Sequence, residues 1–213
     1  KIGLSNQMLS GESDFEGLTY VHEGTLTIGH DMALGSSLTP GSETRVSGEA
    51  GLALQGGIQT DERVLLFNNA NLINNFGTNT ISNLLLVEHD IDGPGVGDKL
   101  ARIGALGGQL NLSGGIDDNA ARFSSNPEMN LALNTGANDD GSIHIDSVID
   151  SSIRDVIVGR RENQSFTSGS VILSGNNEYS GATYLAGGAV RLGVSGENGR
   201  AFGDSRINIA NQS

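Results

Sequence analysis

Carboxylates are the most plentiful reactive groups in this sequence, and their spacing suggests two kinds of chemistry. Asp90 and Asp92 fall within Glu88-His89-Asp90-Ile91-Asp92-Gly93-Pro94-Gly95, the densest oxygen cluster of the chain, and Asp98 follows closely. A hard cation such as calcium takes roughly six to eight oxygen ligands. Asp90-x-Asp92-Gly93 begins like a calcium loop but lacks the later ligands and the closing Glu. A solvated loop is therefore the first expectation here, and calcium at Asp90, Asp92 and Asp98 the second. Paired acids at Asp90/Asp92, Asp117/Asp118 and Asp139/Asp140 are also the raw material of glycosidic cleavage, which needs two carboxyl groups held apart across a groove. All lie in segments flanked by Gly or Asn, where Asp is the expected turn former. They are predicted to be solvated corners, and no catalytic or cofactor-binding residue is assigned.

Other chemistries fare no better. A polysaccharide lyase wants a basic residue near bound calcium, and beyond Lys1 only Lys99 and scattered arginines are at hand, clustered once at Arg160-Arg161. Gly93-Pro94-Gly95-Val96-Gly97 has no Lys-Ser/Thr after it and is no phosphate loop. Gly203-Asp204-Ser205 resembles the nucleophile segment of chymotrypsin-like proteases, but Arg206 stands where that segment needs Gly. His22, His30, His89 and His144 show no metal-binding spacing, and His144, between Ile143 and Ile145, is expected to face water from a strand.

Composition narrows the classes further. The 213 residues carry Lys+Arg 12 against Asp+Glu 25, a net charge of −13, which argues against binding a phosphate backbone. Cys is 0, so there is no disulfide framework and no thiol nucleophile. No apolar run nears the roughly 18 residues of a membrane span, and Lys1 opens no signal-peptide pattern. The expectation is a soluble mature segment of something larger.

The elements that would position any site are short strands. Aliphatic residues return at every second position in Thr25-Leu26-Thr27-Ile28, Leu52-Ala53-Leu54, Gln109-Leu110-Asn111-Leu112 and Leu131-Ala132-Leu133. They do so again in Ile143-His144-Ile145, Asp155-Val156-Ile157-Val158, Val190-Arg191-Leu192 and Ile207-Asn208-Ile209. That is the strand period with one face buried. The best helical candidate, Asn83 to Val87, reads equally as a buried strand. Gly, at 32 residues, punctuates the runs with Asn, Asp and Ser, while aromatics are only 4%. Two-residue hairpin turns are scarce. Short strands with Leu, Ile and Val interiors and few hairpins suit a solenoid better than a sandwich or barrel.

An internal recurrence strengthens this. Leu9-Ser10-Gly11 through Gly17-Leu18-Thr19-Tyr20-Val21 to Gly24-Thr25-Leu26-Thr27-Ile28-Gly29 returns 164 positions later. There it reads Leu173-Ser174-Gly175 through Gly181-Ala182-Thr183-Tyr184-Leu185 to Gly188-Ala189-Val190-Arg191-Leu192-Gly193. Phe15 and Tyr179 correspond and are expected to pack over a corner. Tyr20 and Tyr184 correspond too, as a recurring contact strip or, more simply, as packing. Asn68, Asn69, Asn74 and Asn75 are candidates for amide ladders between turns. At ~20 residues per rung the chain would make about ten rungs, a rod on the order of 50 Å at ~4.8 Å per strand.

The pattern from Leu173 to Gly193, followed by Ala201-Phe202-Gly203, resembles the passenger-associated transport repeat of autotransporters, the type V secreted surface proteins of Gram-negative bacteria. Leu9 to Gly29 departs from it at Glu12, Ser13 and Asp14. The resemblance implies an all-β, right-handed parallel β-helix, displayed at the bacterial cell surface or released. Residues 1–58 would be a first repeat block, 59–164 intervening rungs, and 165–213 the start of a second block. A passenger of this kind crosses the oxidising periplasm unfolded, where stray thiols would cross-link, consistent with the missing cysteines. The expected function is a structural or adhesive scaffold without catalysis, acting in adhesion, biofilm or fibre formation. Expected partners are surface or matrix glycans or proteins, or neighbouring copies, with no nucleic acid. A polysaccharide-acting enzyme on the same solenoid and a self-assembling filament subunit are the alternatives.

Overall fold

The computed structural model describes residues 1–35, 41–67, 69–88, 100–118, 129–135, 141–159, 169–179, 181–186, 189–192, 202 and 206–209. Among these are twenty strands and no α-helix. Strands β1 (Asn6–Leu9) and β2 (Thr19–Val21) form the first coil, and β3 (Thr25–Ile28) and β4 (Thr44–Val46) the second. The third coil is β5 (Gly51–Gln55), β6 (Gln59–Thr60) and β7 (Val64–Phe67); the fourth is β8 (Asn71–Phe76), β9 (Thr78–Ile81) and β10 (Leu85–Glu88). The fifth is β11 (Leu100–Ala105), β12 (Gly108–Leu112) and β13 (Ile116–Asp118). Then come β14 (Met129–Thr135) with β15 (Gly141–Ile145), β16 (Ile153–Val158) with β17 (Ser170–Leu173), and β18 (Ala182–Leu185) with β19 (Ala189–Leu192). Strand β20 (Arg206–Ile209) opens a ninth coil.

Each strand pairs in parallel with the strand one coil away, giving three sheets. Sheet A runs β1-β3-β5-β8-β11-β14-β16-β18-β20, sheet B β2-β4-β7-β10-β13, and sheet C β6-β9-β12-β15-β17-β19. The chain is a parallel β-helix. Every period-2 run of the sequence lies in one of these strands, and the leucine run at 83–87 feeds β10, hydrogen-bonded on one side to β7 and on the other to β13. With ladder partners on both edges, its backbone has no need of a helix.

Sheet A counts nine strands rather than the expected ten or so. The reason is coil length: register partners Asn6 and Thr25 stand 19 residues apart, but Asn71 and Arg102 stand 31 apart. Nine strands at ~4.8 Å make a stack about 40 Å long.

Stacking places like on like. Leu26, Leu52, Leu72, Ile103, Leu133 and Val158 form one inward column of sheet A, each directly over the last and each buried. Leu110, Ile143 and Val171 form a column of sheet C, and Val64, Leu85, Ile116 and Ile149 one of sheet B. Each buried Leu or Ile contributes about 2 kcal/mol of transfer free energy. Columns of this kind explain why a chain with so few aromatics still has a continuous interior.

Among the described residues one aromatic side chain is fully buried in it. Tyr179 is buried among the aliphatic columns, and its hydroxyl is hydrogen-bonded to Thr183 Oγ1 at 2.9 Å. Its counterpart Phe15 is 39% exposed, so the two corresponding positions pack differently. Tyr179→Phe is expected to lower stability by about 1 kcal/mol, the net worth of one buried hydrogen bond. Urea unfolding should show a lower midpoint at unchanged slope; an unchanged midpoint would mean the hydroxyl is idle.

Candidate functional site

Of the acids singled out by spacing, Asp117 and Asp118 fall among the described residues. Asp117 and Asp118 lie in strand β13 and not in a turn, because Leu86 and Val87 of β10 pair with them. Asp117 Oδ1 accepts from Ser152 Oγ at 3.0 Å, which ties the fifth coil to the turn before β16. Asp90, Asp92, Asp98, Asp139 and Asp140 lie outside the described residues, as do His89, Lys99, Arg160, Arg161, Asp204 and Ser205. Among the described residues no group of three or more His, Asp or Glu side chains is placed to hold a metal ion. His144 faces outward from β15, half-buried, with Nε2 2.8 Å from Ser174 Oγ on the next coil.

The exposed chemistry gathers instead around Tyr20 on sheet B. Its ring is 40% exposed and lies parallel to that of His22, centroids 5.6 Å apart. The Arg45 guanidinium sits 5.7 Å from the Tyr20 centroid, one coil on, where the register places Arg45 beside Tyr20. Arg45 Nη2 is 2.5 Å from Glu43 Oε1, and His22 Nδ1 is 2.9 Å from Ser47 Oγ. Burial opposes ionisation of Glu43, but the Arg45 hydrogen bond, its own backbone and the charges of Arg45 and Arg63 outweigh it, holding the carboxyl below its usual value. The result is an aromatic and polar patch that can stack on a flat apolar face and exchange hydrogen bonds with hydroxyl or amide groups. Tyr184, 42% exposed, stands on sheet A.

The recurring segments make equivalent coils. Asn6–Leu9 pairs with Thr25–Ile28 in the register in which Ser170–Leu173 pairs with Ala189–Leu192. The second segment also shows what its glycines do. A Cβ on Gly175 would stand 1.8 Å from the Ser147 carbonyl oxygen, and one on Gly181 2.1 Å from that of Arg154. Gly181 N–H donates to the Arg154 carbonyl at 2.9 Å, and Ala182 N–H to Asp155 Oδ1 at 2.7 Å. These glycines sit at bends of the chain and permit close approach of one coil to the next.

Residues 1–28 and 168–192 match the family model of the passenger-associated-transport-repeat. The chain carries two such repeats. Comparison with curated proteins and with solved structures returns no match. The passenger-associated-transport repeats support an autotransporter passenger, and they imply a secreted or surface-exposed protein. They also coincide with the two equivalent coils, so the repeat is a unit of the β-helix itself.

Two polar features escaped the sequence reading. Of the asparagines proposed for ladders, Asn68 lies outside the described residues and Asn69 turns a corner at φ 61°, its Oδ1 accepting from Arg102 Nη1 at 2.9 Å. Asn74 is buried, but its amide partner is Asn79, at 2.6 Å within the same coil. Asn79 and Asn74 occupy positions in otherwise aliphatic columns, opposite Leu110 and Leu54 respectively. The signal was available in Thr78-Asn79-Thr80-Ile81, where Asn takes the apolar phase of the alternation. The second feature, the buried acid Glu62, had no periodic signature because it lies in a turn.

Proposed function

We propose that this chain is a stiff shaft segment of a surface-displayed autotransporter passenger, working by reach and lateral contact and not by catalysis. The observation that carries the reading is the coincidence of the two passenger-associated-transport repeats with stacked coils of one continuous parallel β-helix. A single interior shared by neighbouring coils resists bending, as a spacer must. Its partners are surface or matrix glycans or proteins, or neighbouring copies, met through outward patches such as that around Tyr20. Stacking on Tyr20, with hydrogen bonds from Arg45 and His22, suits a sugar ring or a planar peptide side chain. The charge of −13 keeps adjacent shafts apart until such a contact forms.

The purified segment, incubated with surface polysaccharides, is expected to be retained on them without releasing new reducing ends or unsaturated products. Tyr20→Ala should weaken that retention severalfold. Glycan cleavage lost on changing Asp90→Ala together with Asp92→Ala would overturn the scaffold reading in favour of an enzyme. Concentration-dependent fibres under the electron microscope, without glycan retention, would favour a filament subunit.

A further inference from the structure

The turn joining β6 to β7 holds an acid that none of these contacts uses. Glu62 is 2% exposed, and its Oε1 accepts from Thr44 Oγ1 at 2.7 Å. Thr44 is itself buried and stands in register with Val64, one step from the aliphatic column of sheet B. The bond therefore crosses from the third coil to the second. On its own turn Glu62 N–H donates to Thr60 Oγ1 at 3.2 Å, which fixes the approach of the side chain.

The charged groups around it give little help to an anion. Asp61 precedes it and Arg63 follows it on the turn, and Glu43 and Arg45 come from the second coil. From the fourth coil Asn83 reaches over, donating through Nδ2 to the Asp61 carbonyl at 2.8 Å. Arg45 is engaged by Glu43. Burial is the largest influence on Glu62 and disfavours its charge; the hydrogen bond from Thr44 works the other way, and the nearby negative charges of Asp61 and Glu43 add to the penalty. The carboxyl is pushed up from 4.5 to about 7.

We propose that Glu62 is a proton-controlled latch between the second and third coils: as the neutral acid it stays seated against Thr44, and as the anion it loosens that corner. The sign follows from proton counting. Between pH 4.5 and about 7 the folded corner holds a proton that the opened chain has released. Stability of the corner is therefore complete below that window, falls as pH rises through it, and stays low above it. Acidic surroundings tighten this corner of the shaft and neutral surroundings relax it, with no change in the remaining coils.

Amide exchange read residue by residue across pH 4 to 8.5, corrected for intrinsic rates, tests this. Thr44 N–H, bonded to the Arg63 carbonyl at 2.9 Å, is the reporter. Its protection is expected to fall by up to about 300-fold from the acid to the alkaline side of the window, the shift of Glu62 expressed as an equilibrium constant. Protection of Ile143 and Ile145, several coils away, should stay flat. In Glu62→Gln the Thr44 profile should flatten as well, with higher protection than the unmodified chain at pH 8. A carbon-13 titration of the Glu62 carboxyl in the unmodified chain gives a reading that needs no variant. A midpoint near 7 supports the latch. A midpoint near 4.5, or equal pH slopes at Thr44 in both proteins, overturns it.

Discussion

Asn79→Leu is expected to cost about 3 to 5 kcal/mol, although it places an aliphatic residue in a column that continues with Leu110, Ile143 and Val171. The Asn79 amide is used on both sides. Its Oδ1 accepts from Gly57 N–H at 2.9 Å and Ile58 N–H at 2.8 Å, both on the third coil. Its Nδ2 donates to Asn74 Oδ1 at 2.6 Å and to the Phe76 carbonyl at 2.9 Å. Asn74 passes the network on, donating to the Gly107 carbonyl of the fifth coil at 2.7 Å. One side chain thus helps to close the corner between sheets A and C through three coils. Leucine would leave two donors and two acceptors without it, each costing about 1 to 3 kcal/mol, and its extra buried carbon returns only part of that. Amide exchange at Gly57 and Ile58 should accelerate by at least a hundredfold, and thermal unfolding should come earlier. A loss below about 1 kcal/mol would mean that water replaces the amide and that the network is dispensable.

Gly175→Ala and Gly11→Ala should differ sharply although they alter the same position of the repeat. At Gly175 the new Cβ falls 1.8 Å from the Ser147 carbonyl oxygen and 2.5 Å from its carbon, both backbone atoms held in the adjoining coil. The seventh coil has to lift from the sixth, breaking bonds such as Ser174 N–H to the Ile145 carbonyl at 2.9 Å. A cost above about 3 kcal/mol is expected, on the scale of a strongly overpacked core. At Gly11 nothing stands within 4 Å of the added carbon, so the change should stay within about 0.5 kcal/mol. Denaturant unfolding of the two variants decides the matter. Equal effects would show that the repeat keeps its glycines for backbone conformation and not for coil-to-coil approach.

Much of the fold could be read before any coordinates. Period-2 runs such as Ile143-His144-Ile145 mark the strands because only alternation can bury one face of so short an element, and the recurrence from Leu9 to Leu173 marks the solenoid. Coil length could not be read, because an excursion between strands costs little chain entropy and leaves no periodic trace. Nor could the turn-borne Glu62 or the inward Asn79, whose roles depend on which carbonyl or hydroxyl the next coil brings alongside. The patch around Tyr20 was half legible. Tyr20 recurs in the sequence as Tyr184, but Arg45 joins it only through the pairing of β2 with β4.

The recurrence and the coiling are out of step. Strand β1 belongs to sheet A, and six circuits later β16 returns there; the matching strand β17 lies one side further round, on sheet C. Tyr20 and Tyr184 accordingly look out from different walls of a three-sided column. The two copies of the repeat thus present their tyrosines on different compass bearings of one shaft and not along a single seam.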